Sequence, residues 1–171
     1  DSYKKILRKN LFNNKIFFNT FPSLEAQVAT ISDDIAYNNH DLEDGLRAGL
    51  FTIKKISSIP YISELINKHV KNIKNFRREI IISQIVRDLI NSMVVDVINT
   101  TNKNLKKSSP QSINDIYKQD CLIVDFSDKM KKIDKQIKYF LKRNMYNHKK
   151  VIVNTDRGKR IINDLFKYLS K

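Results

Sequence analysis

The sequence predicts an all-α protein, a helical bundle, on three observations. Among 171 residues there are only three glycines and three prolines, too few for the tight turns of a sandwich or barrel. Apolar residues recur at three- and four-residue spacing over several long segments, the period of a helix with one face on a core. No segment argues clearly for a strand. The length suits one helical unit over residues 1–171, able to bury roughly 70% of the surface that the unfolded chain exposes. With 41% hydrophobic and 29% charged residues, the composition is that of a folded domain, neither disordered nor membrane-embedded.

The opening segment, to Phe21, holds short apolar clusters without sustained period and predicts a short helix and a loop. Phe21-Pro22-Ser23 then starts a long helix: Pro22 ends what precedes it, Ser23 caps, and Glu25 sits where the helix dipole favours a carboxylate. Leu24, Val28, Ile31 and Ile35 are its expected core stripe, and it weakens around Gly45 and Gly49, giving a first unit over 20–51. Pro60 precedes a short helix at about Ile62 to Val70. The longest apolar pattern, Phe76 to Ile98, predicts a core helix over 75–99. Its stripe is Ile82, Ile85, Val86, Leu89, Met93 and Val97, widened by Ile90, Val94 and Ile98. Thr100 to Gln111 reads as a basic surface loop. Ile113 to Tyr117 suggests a helical turn, and Leu122-Ile123-Val124 a buried extended stretch. The C-terminal helices, over 127–171, start at Ser127-Asp128, with Met130, Ile133, Ile137, Phe140 and Leu141 inward, and at Thr155-Asp156, with Ile161, Ile162, Leu165, Phe166 and Leu169.

Charge narrows the function. With 32 Lys+Arg against 18 Asp+Glu the net charge is +14, part of which reflects a chain rich in Lys, Asn and Ile. Against that background Asp33, Asp34, Asp41, Glu43 and Asp44 concentrate acid in one stretch, which costs self-repulsion unless a cation or basic partner offsets it. Asp33, Tyr37 and Asp41 stand one helical turn apart and share a face. The plain alternative is a solvated acidic face. Arg47 is placed to pair with Glu43 or Asp44. The lone cysteine, Cys121, excludes an internal disulfide and a cysteine-based zinc site. No signal-peptide pattern follows Asp1 and no long apolar run exists, so a soluble, cytoplasmic chain without membrane contact is expected.

The segment Ser23 to Phe51, SLEAQVATISDDIAYNNHDLEDGLRAGLF, resembles the corresponding helix of the bacterial dGTP triphosphohydrolases, dNTP triphosphohydrolases of the HD superfamily. It follows their S-L-E-A-Q…A-D-D-I-A-Y…H-D-x-x-D-G-x-x-A-G pattern, with Ser32 where Ala is usual. Phe140-Leu141 with Met145-Tyr146-Asn147-His148 and Val151 is similar to the family's F-L…M-Y-x-H-x-x-V segment. The resemblance implies a metal-dependent hydrolase that converts a dNTP, dGTP as first guess, to deoxynucleoside and triphosphate. It implies Asp33 as a ligand of a divalent metal, Mn2+ or Mg2+, and Tyr37 and Asp41 as contacts to the deoxyribose and its 3′-hydroxyl. Tyr146 and Asn147 correspond to a second pair on the sugar and base side, and Lys138 to a phosphate contact. Such a metal lowers the pKa of bound water for attack on the α-phosphorus, and basic side chains help neutralise the leaving triphosphate.

The superfamily's other ligands, a histidine and a His-Asp pair, precede the Asp33 helix, and no histidine precedes Asp33 here. The general acid belongs to that earlier region as well. His40-Asp41 spells the dipeptide but lies on the downstream helix, so His40 is not assigned to the metal. His69 and His148 are expected at the surface or capping a helix. The resemblance therefore implies the C-terminal part of an HD-domain fold without its N-terminal HD-motif half, which it would meet in cis or in trans. The intact enzyme is expected to be a homo-oligomer. Two alternatives stand beside this reading. One is a basic helical nucleic-acid-binding module using Lys103, Lys106 and Lys107 with the helix face of Lys131, Lys132, Lys135, Lys142, Arg143, Lys149 and Lys150, with weak binding expected in either case. The other is an inactive remnant or assembly module whose apolar face over 76–98 is covered by another chain.

Overall fold

The structure, a computed structural model, describes residues 20–70 and 77–170. The short helix and loop expected before Phe21, the Phe76 start of the long helix and the His69 side chain lie outside the described residues. Within them the chain is helical, without strands: α1 (Leu24–Arg47), α2 (Ile53–Ile56), α3 (Pro60–Val70), α4 (Arg78–Ser108), α5 (Ile113–Tyr117), α6 (Asp128–Leu141) with a π-turn over Lys142–Tyr146, and α7 (Lys149–Leu169).

The first helix starts as its sequence dictates. Ser23 Oγ accepts the Ala26 amide at 3.4 Å, and Glu25 stays ionised to lower pH because it accepts backbone and Ser23 hydrogen bonds. Its inward face differs from the expected stripe: Val28 is exposed, while Gln27, Ile35, Asn38, Asn39, Leu42, Gly45 and Leu46 are buried. α1 ends in a Schellman motif. The Leu50 amide bonds Gly45 O and the Gly49 amide bonds Leu46 O, while Gly49 takes the left-handed φ of 67° that the motif needs. Arg78 adds a hydrogen bond to Leu46 O at 2.9 Å, placing a cation at the negative end of the helix dipole.

That reversal delivers Phe51 back onto α1, where its ring meets Phe140 edge-on, centroids 4.9 Å apart. α4 contributes the predicted six, Ile82, Ile85, Val86, Leu89, Met93 and Val97, all buried; Val94 and Ile98, expected to widen the stripe, are exposed. α6 buries Met130, Ile133, Ile137, Phe140 and Leu141. These faces of α1, α4 and α6, with Ile56, Ile62 and Ile66 from α2 and α3, form one core. Burial of each such side chain contributes about 1.5–3 kcal/mol.

Three segments correct the sequence reading. Residues 100–108 continue α4 in place of a loop. Thr101, Asn104, Leu105 and Ser108 are half-buried at helical spacing, a polar inward face that a search for apolar periodicity passes over. Asn104 Nδ2 donates to Ile123 O at 2.9 Å. Ile123 and Val124 are buried as expected, but Leu122 is 40% exposed and the stretch is irregular. Side chains anchor it in place of a neighbouring strand: Gln27 Oε1 accepts both the Ile123 and Val124 amides at 3.0 Å, and Asp96 takes the Ser127 amide and hydroxyl. Finally, α7 begins at Lys149, capped by His148 Nδ1, which accepts the Lys150 amide. Thr155, read as a helix start, instead donates back to Val151 O at 2.9 Å, a bond available inside a helix.

Candidate functional site

Two parts of the chain far apart in sequence meet on one side of α1. The π-turn after α6 closes with the Asn147 amide on Lys142 O at 3.2 Å. Its wider turn carries Tyr146 to the Asp33–Tyr37–Asp41 face; turns of this kind recur at functional sites. There the Tyr146 hydroxyl donates to Asp41 Oδ2. The Tyr146 phenol is held protonated well above its ordinary range, first because it is partly withdrawn from water and then because Asp41 and Tyr37 stand beside it. Tyr37 is 59% exposed, its ring offering an open surface, and Asp41 is half-buried.

Asp33 begins this face, exposed to solvent. It is a hard oxygen donor, and no ion pair within the described residues engages it. Among those residues no three His, Cys, Asp or Glu side chains come together to hold a metal ion. The carboxylate of Asp33 is chemically suited to one coordination position of a hard divalent cation. His40 is exposed on α1. Asn147 is exposed directly after Tyr146, at the end of the π-turn.

Lys138 sits differently from a free phosphate ligand. Its Nζ lies 3.0 Å from Asp34 Oδ2 and 2.9 Å from Asp134 Oδ2. Burial alone would lower its pKa, but the two carboxylates prevail and raise it. Asp134 is buried and also accepts the buried Asn38 amide at 3.1 Å. The result is a clamp: Asp34 and Asn38 of α1 are tied through Lys138 and Asp134 of α6. It fixes the rotation of α1 that presents Asp33, Tyr37 and Asp41. Asp34 and Asp134 also border a groove of about 390 Å³, with Ile31, Val124 and Phe126 among its apolar lining. The sequence reading singled out neither Asp134 nor Asn38. Their signal was visible only as polar residues at positions where the helical period demands apolar ones.

Arg47 pairs with Glu43 at 2.6 Å, as its spacing predicts, and also reaches Ser83 at 2.9 Å. This accounts for Glu43 without any ligand, as the Lys138 pair does for Asp34; Asp33 and Asp44 stay exposed without an ion pair among the described residues, and Asp41 is held by Tyr146.

Comparison with known proteins agrees with the motif resemblance. Residues 124–171, from Val124 through α6, the π-turn and α7, match a family model described as a phosphohydrolase-associated domain. The chain is 48% identical over 155 residues to the deoxyguanosinetriphosphate triphosphohydrolase-like protein of Pelagibacter ubique, an alignment covering 91% of this chain and 42% of that protein. It is 40% identical over 146 residues to the protein of the same name from Brucella ovis, covering 85% and 36%. With that of Agrobacterium fabrum it shares 39% over 147 residues, covering 86% and 36%. The chain thus spans only 36–42% of the length of these relatives. No helix among the described residues is long and apolar enough to cross a membrane.

Proposed function

Taking the chain as a homologue of the deoxyguanosinetriphosphate triphosphohydrolase-like proteins, we propose that it supplies the sugar-binding wall and one metal ligand of a dNTP triphosphohydrolase site. The remaining metal ligands and the general acid come from sequence that this chain does not contain. The observation that supports this reading most directly is the Tyr146–Asp41 hydrogen bond. It joins the two segments whose motifs carried the resemblance, 105 positions apart in the chain.

In this reading Tyr37 packs its open ring against the deoxyribose, leaving no room for a 2′-hydroxyl. Asp41, held by Tyr146, accepts the 3′-hydroxyl. Tyr146 stays protonated at neutral pH, so it remains a donor and keeps Asp41 oriented. Asn147 lies next to the base side. A divalent cation bound in part by Asp33, Mn2+ or Mg2+, supplies Lewis-acid polarisation and charge neutralisation at the phosphates. Lys138 acts first as the clamp that positions Asp33 through Asp34; two of its three N–H donors go to carboxylates, which leaves one for a phosphate oxygen.

The test is triphosphate release from dGTP with Mn2+, on this chain alone and on a chimera joining it to the uncovered part of the Pelagibacter relative. Turnover is expected only from the chimera. Asp33→Ala should abolish it, and His40→Ala should leave bound Mn2+ unchanged. Turnover by the chain alone, or loss of the metal in the His40 variant, would overturn the assignment. A folded but inactive chimera would instead favour the remnant reading.

A further inference from the structure

Asn38 and Asn39 stand side by side in α1 and are both buried, Asn39 with no exposure at all. Neighbouring positions on a helix point about 100° apart, and these two side chains leave α1 toward different helices. Asn38 donates to Asp134 of α6. Asn39 turns to α4: its Nδ2 donates to Met93 Sδ at 3.3 Å and to Ile35 O, one turn back in its own helix, at 2.7 Å. Both N–H donors are thereby used. Its Oδ1 is buried and meets no donor among the described residues. Turning the amide over offers no remedy, because Oδ1 would then face the Ile35 carbonyl, acceptor against acceptor. Stability does not explain such a residue. Ile35, Leu42 and Leu46 of α1 share one buried cluster with Ile85, Leu89 and Met93 of α4. A leucine among them would have nearly the shape of asparagine and no orphaned carbonyl. Leaving a buried acceptor unpaired destabilises a fold, whereas an apolar side chain of the same shape is close to neutral or stabilising.

We propose that Asn39 is a positioning residue: it pins the rotation of α1 on α4 and so sets Tyr37 and Asp41 against Tyr146. Apolar contact is non-directional and tolerates a small roll of one helix on another. The amide of Asn39 does not. Its bond to Ile35 O fixes it relative to α1, and its bond to Met93 Sδ fixes it relative to α4. The Asn38–Asp134 bond holds α1 from the α6 side alone, and a helix held on one side can roll about that contact; a second bond from another side stops the roll. The level is the one that matters, since Asn39 lies in the turn between Tyr37 and Asp41. Side chains ride about 5–6 Å from a helix axis, so a roll of about 10° carries the Asp41 carboxylate by about 1 Å. That is enough to break its hydrogen bond from the Tyr146 hydroxyl. The unpaired Oδ1 is the cost of this directionality, as with the buried polar residues that fix the register of paired helices. The consequence for turnover rests on the dNTP site proposed above; the geometry of the pin does not.

Alkaline titration of this chain, followed by absorbance at 295 nm, tests the pin, with Tyr146→Phe identifying the Tyr146 component. In the unaltered chain Tyr146 keeps its proton because it is partly withdrawn from water and stands beside Asp41 and Tyr37. In Asn39→Leu the urea midpoint should stay or rise, while Tyr146 ionises in the folded chain near the ordinary tyrosine value of about 10. Met93→Leu keeps the core volume and removes only the sulfur acceptor; it should release Tyr146 in the same way. In the chimera with the Pelagibacter relative, Asn39→Leu should lower kcat/KM for dGTP about tenfold to a hundredfold, the loss a misplacement of this size produces. A Tyr146 component that still ionises only on unfolding in both variants overturns the proposal. So does a released phenol with kcat/KM unchanged. Should Asn39→Leu fail to fold, Met93→Leu decides alone. An unaltered chimera without turnover would count against the dNTP reading, and the phenol would still decide on the pin.

Discussion

Replacing Gly45 by alanine sets two effects of opposite sign against each other. Gly45 lies inside α1, where alanine is favoured over glycine by about 1 kcal/mol. The added Cβ would fall 2.3 Å from Phe51 Cε1 and 2.4 Å from Cζ, so the ring must shift by about 1 Å to restore van der Waals contact. An exposed ring would swing away at little cost. Phe51 is 2% exposed and its edge is packed on Phe140, so the shift disrupts an aromatic pair worth about 0.5–1.5 kcal/mol. It also overpacks the core, by about 1–3 kcal/mol. The clash wins, with a net loss of about 2 kcal/mol that should lower the urea midpoint at unchanged slope. The ring atoms responsible can be removed separately. In the Phe51→Leu background the same Gly45→Ala change should cost at least about 1 kcal/mol less, a coupling of the size seen between contacting residues. A midpoint that stays or rises on Gly45→Ala, or an equal loss in both backgrounds, would refute the close-approach argument.

Three further outcomes follow from the site. In the active chimera, Tyr146→Phe removes the donor to Asp41, a charge-assisted bond worth about 1.5–3 kcal/mol; kcat/KM for dGTP should fall about tenfold to a hundredfold, with bound Mn2+ unchanged. Asp134→Ala strips both Lys138 and Asn38 of a partner. Discounted for the exposure of Lys138, the loss is about 2 kcal/mol, read as a lower urea midpoint, and a change below about 0.5 kcal/mol would show the clamp to be idle. Alkaline pH should also destabilise the fold. Tyr146 keeps its proton to higher pH folded than unfolded, and so does Lys138. The stabilisation both supply is complete below pH about 10 and is lost as pH rises through their folded values. Absorbance at 295 nm should show one tyrosine ionising only as the chain unfolds, and Tyr146→Phe should remove that component.

What was legible in the sequence follows from which physical force writes the signal. The buried stripes of α4 and α6 were readable because apolar burial at helical period leaves a pattern: the six residues of the α4 stripe and the five of α6 are inside, although Val94 and Ile98, named to widen the former, are exposed. α1 was readable in its cap and misread in its face. Its inward side is built around Gln27, Asn38 and Asn39, whose burial makes sense only once their partners across the fold are known: Ile123 and Val124 for Gln27, Asp134 for Asn38. The same holds for residues 100–108, where Asn104 takes the inward place of an apolar residue. Polar burial is specified pairwise and at long range, so one segment's pattern cannot reveal it. The candidate site divides along the same line. Asp33, Tyr37 and Asp41 lie on one helix and could be grouped from spacing alone, whereas Tyr146 reaches them only through the π-turn, which the sequence reading did not anticipate. Lys138 shows what remains when spacing is right and surroundings are missing: a residue matched to a phosphate contact stands between two carboxylates. A lysine so placed holds α1 against α6 with no substrate present, and that role needs only the residues this chain already contains.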